Sequence, residues 1–331
     1  MVDDDSVALY FPRCIHEVWW IFMRVGRLLA LIIASCCSIS VVGVAQGQLS
    51  TNTDKAATAD VVKPPIVTLP DSVVTANILY VTNGSASQSL DIYAPKSAKN
   101  SPVVVFIHGG GWNKRDKDEV GSQPRLFNAA GIIVVSINYR LVPAVKHPEN
   151  VRDVAAAIAW ISANISKHGG NPARIFVMGH SAGSHLAALV ATDDRYLSAH
   201  GLHRNQLAGV ISLDGSAFDI PDRIKNGSEQ IAENCRRAFG EDEKVQRDGS
   251  PVNHVRGTAA LPPCLLIYLK DESLNHKQSR HFAELVRTAG GKAKLVHVTE
   301  NKTHQSLCDD LGTDDDLTGP VLVEFIQNGL R

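Results

Sequence analysis

Residues 175–192 read IFVMGHSAGSHLAALVAT. The first four are apolar, the composition of a strand buried on both faces. The last nine, SHLAALVAT, read as a helix. Between them lies Gly179-His180-Ser181-Ala182-Gly183. Glycines on either side of the serine suit a tight turn where neighbouring backbone comes close. A strand–turn–helix of this kind lifts a serine hydroxyl above a sheet edge, at a helix N-terminus that favours developing negative charge. G-x-S-x-G alone arises by chance in a chain this long with a probability of ~0.1, given Gly and Ser near 7% each. Its weight comes from the strand before it and the helix after it.

Working outward, the same alternation repeats. Residues 103–108 (VVVFIH) and 132–137 (IIVVSI) are further β-branched runs, followed by 175–178, 209–213, 264–269 and 294–298. Helical patterns lie between and after them, at 150–167, 184–192, 276–289 and 321–328. Strand–helix alternation predicts an α/β fold with a mostly parallel, doubly wound sheet and helices on both faces. Residues 78–81 and 90–93 flank a Gly/Ser turn and predict an antiparallel hairpin ahead of it. Residues 218–263 are polar, partly helical, and interrupt the alternation, so they are expected to form a small cap.

His108-Gly109-Gly110-Gly111-Trp112 closes the strand at 103–108. Acyl transfer creates an oxyanion that needs fixed N–H donors, and glycines let backbone approach a substrate. Gly109, Gly110 and Ala182 are the expected donors, the last being the residue after the nucleophile. The loop lacks the GxxxxGK[ST] pattern of a phosphate cradle. His108 and Trp112 are expected to pack and orient it. A serine nucleophile also needs a base and an orienting carboxylate, in the chain order serine, acid, histidine. Asp271 follows the strand at 264–269, and His304 follows the strand at 294–298. Ligands gather at that edge of open α/β sheets. Ser181, Asp271 and His304 are therefore the candidate catalytic residues, with Glu272 and Asp214 as alternates for the acid.

The 331 residues carry 33 Lys+Arg against 34 Asp+Glu, a net charge of −1, which offers no basic face for nucleic acid. Six cysteines are too few for a disulfide scaffold, and no paired Cys/His spacing suggests zinc. No metal or cofactor is expected.

The N-terminus reads differently. Residues 28–44 (LLALIIASCCSISVVGV) are uncharged, Arg24 and Arg27 precede them, and Gly43 and Ala45 sit at −3 and −1 of a cleavage after Ala45. These are the parts of a secretory signal peptide. The apolar run is shorter than the ~20 residues a spanning helix prefers. Residues 1–22 are acidic and aromatic, so translation is expected to start at Met23. Two rivals are a lipid on Cys36, since Ile33-Ala34-Ser35-Cys36 resembles a lipobox, and an uncleaved membrane anchor. Residues 1–45 are thus the leader, 46–72 a linker rich in Thr, Ala, Asp and Pro, and 73–331 the domain. An extracytoplasmic location follows from the leader. Cys14, Cys36 and Cys37 belong to that region; Cys235, Cys264 and Cys308 allow at most one disulfide.

HGGGW, the strand ending Asn138-Tyr139-Arg140-Leu141, GGNPARIFVMGHSAG and the late Asp/His pair together resemble the α/β-hydrolase superfamily. The likeness is to its branch of feruloyl-esterase-like carboxylesterases and arylformamidases, over about residues 73–331. Gly111, where arylformamidases often carry a bulkier residue, leans toward the carboxylesterases. The resemblance implies Ser181 as nucleophile, His304 as base and Asp271 as acid. It also implies small esters of short or aromatic acids as substrates, including esters on polysaccharides. The same machinery acting on a formamide, a non-catalytic binding module and a peptidase are the rivals. The polar cap argues against a lipase lid and predicts short acyl chains.

Overall fold

The computed structural model describes residues 71–256, 260–298 and 301–330. The expected leader, its cleavage and lipidation sites, Met23, and all but the last two residues of the linker lie outside the described residues.

Eight strands form one sheet: β1 Ser72–Leu79, β2 Ser89–Pro95, β3 Ser101–Ile107, β4 Ile133–Ile137, β5 Gly170–His180, β6 Leu207–Leu213, β7 Cys264–Tyr268 and β8 Ala293–His297. Their order is β1-β2-β4-β3-β5-β6-β7-β8. The pairs from β4 through β8 are parallel, while β1–β2 and β2–β4 are antiparallel. Among the described residues ten α-helices accompany them. Among the connections are α1 Gln123–Ala129, α2 Glu149–Asn164, α3 Ala182–Thr192, α4 Asp194–Ser198 and α8 Leu274–Thr288. The chain closes with α9 Ser306–Asp309 and α10 Gly319–Asn328. The expected cap consists of α5 Ile220–Asn226, α6 Glu229–Phe239 and α7 Glu243–Asp248. The doubly wound sheet, the early hairpin and the helical interruption after β6 all stand as expected. Among the described residues, no helix is long and apolar enough to cross a membrane.

The central strands explain their own sequences. Side chains alternate across a strand. In β3, Val103, Val105 and Ile107 enter one core, and Val104 and Phe106 enter the other. Helices α2 and α3 cover the first face, and α10 covers the second. A strand covered on both sides has no polar face, which is why VVVFI is unbroken. Cys235, Cys264 and Cys308 are all free and buried, so no disulfide joins them. Burial pushes each thiol up to about 12. They are small core side chains rather than reactive thiols.

A buried ion network pins the segment that leaves the HGGGW loop. The Lys117 ammonium donates to Asp91 (2.9 Å), Asp118 (2.8 Å) and Asn77 (3.1 Å), satisfying all three protons. Lys117 and Asp91 are each 2% exposed. The Lys117 N–H donates to Asn138 Oδ1 at 2.7 Å, just past β4. Asp91→Ala removes one partner of a buried pair and should cost about 3–5 kcal/mol of stability in urea unfolding. A loss below about 1 kcal/mol would mean that solvent or Asp118 compensates.

Candidate active site

The nucleophile elbow is set by steric contact. Gly183 packs so tightly that a Cβ there would lie 2.1 Å from the carbonyl oxygen of Ile107 in β3. The other elbow glycine, Gly179, faces Gly183 backbone at 2.2 Å on the same construction. Any other residue at either position would push α3 off the sheet. Between them Ser181 takes φ +54° and ψ −118°, a sparsely populated conformation held by the structure around it. Ser184 Oγ donates to the Gly179 carbonyl at 2.6 Å and fastens the first turn of α3 to the strand end.

The HGGGW loop arches beside this elbow. A Cβ on Gly109 would lie 3.1 Å from Ser181 Cβ. Gly110 takes φ +92°, where a side chain would be strained and would strike the Lys114 carbonyl. Among the described residues the N–H groups of Gly109 and Gly110 make no hydrogen bond. Ala182 opens α3, so its N–H has no partner within the helix. The three expected oxyanion donors are therefore available beside Ser181.

His108 and Trp112 do pack and orient. The His108 ring stacks on Tyr139 at 4.5 Å, and the Tyr139 hydroxyl donates to the carbonyls of His108 (3.1 Å) and Gly109 (3.3 Å). Trp112 Nε1 donates to His185 Nδ1 on α3 at 3.3 Å, and His185 Nε2 donates to the Gly249 carbonyl past α7 at 2.7 Å. Trp112 also meets Phe239 of α6 edge-on at 5.2 Å. Loop, nucleophile helix and cap are thus joined through one buried cluster.

His304 reaches the site from the loop after β8. Its Nδ1 donates to Asp214 Oδ2 at 2.7 Å. A carboxylate accepts only, so Nδ1 carries a proton, and in a neutral ring that leaves the lone pair on Nε2, the tautomer a general base needs. Asn275 of α8 donates to the same Asp214 oxygen at 3.0 Å. Asp214 is 5% exposed. His180, the residue before the nucleophile, donates from Nε2 to the His304 carbonyl at 2.7 Å, and the two rings lie 4.6 Å apart. This bond fixes the backbone of His304 to the elbow. Among the described residues Ser181 Oγ and His304 Nε2 have no hydrogen-bond partner.

The carboxylate beside His304 is Asp214, not Asp271, and the expected assignment is corrected accordingly. Asp271 has its side chain 59% exposed and turns to His297 Nδ1 at 3.4 Å. The alternate Glu272 faces Lys277 at 3.5 Å. The reason lies in the strand order. β6 adjoins β5, whereas β7 is one strand further out. Asp214 follows the last residue of β6 directly, with its backbone in the left-handed region at φ +42°. Asp271 stands three residues beyond β7. Asp214 also ends a strand in the sequence, so a signal for it existed.

Burial holds His108 down at about 4, and His180 and His185 down at about 3, against an ordinary 6.5. For a histidine lowered in the folded state, stability is complete above pH 6.5 and is lost as pH falls toward the folded value, because the unfolded chain takes up the proton first. Each ring should remove up to about 1.4 kcal/mol per pH unit over that window. Urea midpoints at pH 7.5 and pH 5.0 check this. A midpoint unchanged at pH 5.0 would mean the rings are not buried as neutral species.

The model of the BD-FAE family matches residues 90–286, more than half of the chain. The chain belongs to the BD-FAE family. Ser181, Gly109, Gly110, Ala182 and Asp214 of this BD-FAE chain fall inside the matched region, and His304 lies beyond it. The chain is 30% identical over 233 residues to a probable isoprenylcysteine alpha-carbonyl methylesterase of Arabidopsis thaliana, covering 66% of this chain and 48% of that protein. It is 32% identical over 216 residues to Esterase LipC of Mycobacterium tuberculosis, covering 61% and 52%. This BD-FAE chain thus spans about half the length of the curated relatives it matches. A truncated carbohydrate esterase from gut microbiota superposes with a TM-score of 0.65 at 22% identity, over 78% of this chain and 96% of that one. Esterase 2 of Thermogutta terrifontis superposes with a TM-score of 0.60 at 24% identity, over 80% and 94%. These likenesses establish the α/β-hydrolase fold.

Proposed function

We propose that the protein is a serine carboxylesterase acting through an acyl-enzyme. The observation that carries this is the hydrogen bond at 2.7 Å from His304 to the buried Asp214, tied through His180 to an elbow that presents Ser181 beside a glycine-rich loop. Ser181 Oγ attacks the acyl carbonyl while His304 Nε2 takes its proton. Asp214 stabilises the imidazolium that forms. The N–H groups of Gly109, Gly110 and Ala182 receive the oxyanion. His304 then gives the proton to the leaving alcohol, and a water that it activates releases the acid. The esterase names of the relatives support the same chemistry.

For the substrate we read small esters of short or aromatic acids, including esters on polysaccharides. The support is the polar cap: α6 sets Asn234 against Gly111, within 2.8 Å of where a Cβ there would be, and Asn113 donates to Asn234 at 3.3 Å. A polar lip at the oxyanion loop disfavours long alkyl chains. The reading of the leader as an export signal puts the reaction outside the cytoplasm, on the strength of residues 24–45 alone. The test is hydrolysis of p-nitrophenyl acetate, butyrate and octanoate. Acetate and butyrate should exceed octanoate at least ~10-fold in kcat/KM, since each mismatched methylene costs about 1 kcal/mol or more. Faster octanoate hydrolysis would overturn the chain-length reading, and no hydrolysis of any ester would overturn the esterase reading.

A further inference from the structure

The cap carries a cation that the hydrolytic machinery does not use. Arg223 on α5 is 5% exposed. Its Nε is sealed from water without an acceptor, and among the described residues no ion pair or side-chain hydrogen bond reaches its guanidinium. Two other buried cations mark the contrast. Lys117 has three acceptors. Arg204 donates to the carbonyls of Thr192 and Arg256. A buried charge without a partner is costly, and burial pushes Arg223 below its ordinary value.

Its surroundings are those of the site. α5 leaves the end of β6 shortly after Asp214, and Arg223 is near enough to feel the charges of Asp214 and Asp222. α5 packs on α6, whose Asn234 covers Gly111 of the oxyanion loop. Among the described residues neither nearby carboxylate forms an ion pair with it. Asp214 Oδ2 is engaged by His304 and Asn275. Asp222 accepts from Asn226 and Gln278. Arg223 is therefore a buried cation on the first helix of the cap, within electrostatic reach of the triad's acid, and among the described residues no ion pair neutralises it.

We propose that Arg223 receives an anionic group of the substrate, a carboxylate carried on the acid or the alcohol part of the ester, so that acidic esters are preferred over neutral ones. The planar fork of an arginine matches a carboxylate in two parallel hydrogen bonds. The inference rests on the esterase reading and narrows its substrate class.

The test compares matched pairs on the whole protein. Monomethyl adipate against methyl hexanoate places the carboxylate on the acyl side. 4-Acetoxybenzoate against 4-acetoxybenzamide places it on the leaving side. The wild type should favour the anion at least ~10-fold in kcat/KM in one of the two pairs. Arg223→Met should erase that preference while the neutral partner's rate stays within about threefold. Arg223→Gln, which keeps hydrogen-bond donors without the charge, serves as a second variant if Arg223→Met does not fold. Hydrolysis of the neutral esters with no anion preference in either pair, or a preference that survives in the variants, overturns the role of Arg223 and leaves the esterase standing. Hydrolysis of none of the four overturns the esterase reading itself.

Discussion

Asp214→Asn should lower kcat/KM for p-nitrophenyl acetate about 10⁴-fold, while Asp271→Asn should leave it within about threefold. The first figure follows from the tautomer. Asp214 Oδ2 accepts the His304 Nδ1 proton at 2.7 Å and so reserves Nε2 as the acceptor for the serine proton. An asparagine amide placed there can donate to Nδ1 instead, which moves the ring proton to Nε2 and removes the base. Asn275, which donates to the same carboxylate, keeps the site's geometry from compensating by rotation. Asp271 has no such duty. It lies near His297 at 3.4 Å and His276 at 3.9 Å, rings that stack on either side of Tyr268. Losing its charge should loosen that surface stack and little else. The reverse ranking would return the acid to the loop after β7.

Ser181→Ala should reduce kcat about 10⁶-fold, close to the residual rate that an oxyanion hole and binding alone sustain. The variant should fold at least as well as the wild type. Ser181 holds φ +54° and ψ −118°, and its strain belongs to the backbone, not to the hydroxyl. Its Oγ makes no hydrogen bond among the described residues, so no hydrogen bond is lost. A loss of less than about tenfold, with folding intact, would mean that another group attacks the ester.

These two residues differ in how well the sequence announces them. Ser181 is announced because the elbow is local. The apolar run of β5, the two glycines and the helix α3 lie within one stretch of chain, and their sterics leave little choice. His304 is nearly as plain, as a histidine past the last strand. The acid is harder because β6 and β7 are parallel neighbours and each presents an aspartate at the same sheet edge. Which one turns inward depends on the left-handed backbone at Asp214 and on Asn275, a partner 61 residues away. No period or motif encodes that.

The fold divides in the same way. Strands buried on both faces, such as β3 and β4, stand out as unbroken apolar runs. β1 extends well upstream of residues 78–81, to Ser72, because Ser72 through Thr75 pair with Pro95 through Ile92 of β2, a tertiary contact on a strand of mixed polarity. The short helices α1 (QPRLFNA) and α4 (DRYLS) carry too few apolar positions to show a helical period, and they form where the sheet receives Phe127 and Leu197. The unpaired Arg223 is equally silent in the sequence, since one arginine in a polar segment looks solvated until the cap is seen closing over it.

The measurement that tests the central claim most directly is covalent trapping with a fluorophosphonate, read by mass spectrometry. Cleavage after Arg174 and Arg195 releases one peptide that holds both Ser181 and Ser184, and fragmentation separates them. The wild type should gain one adduct per chain, on Ser181, and the labelling rate should collapse in His304→Ala and in Asp214→Asn. An adduct on any other residue, or labelling that proceeds at the wild-type rate without His304, would contradict the account.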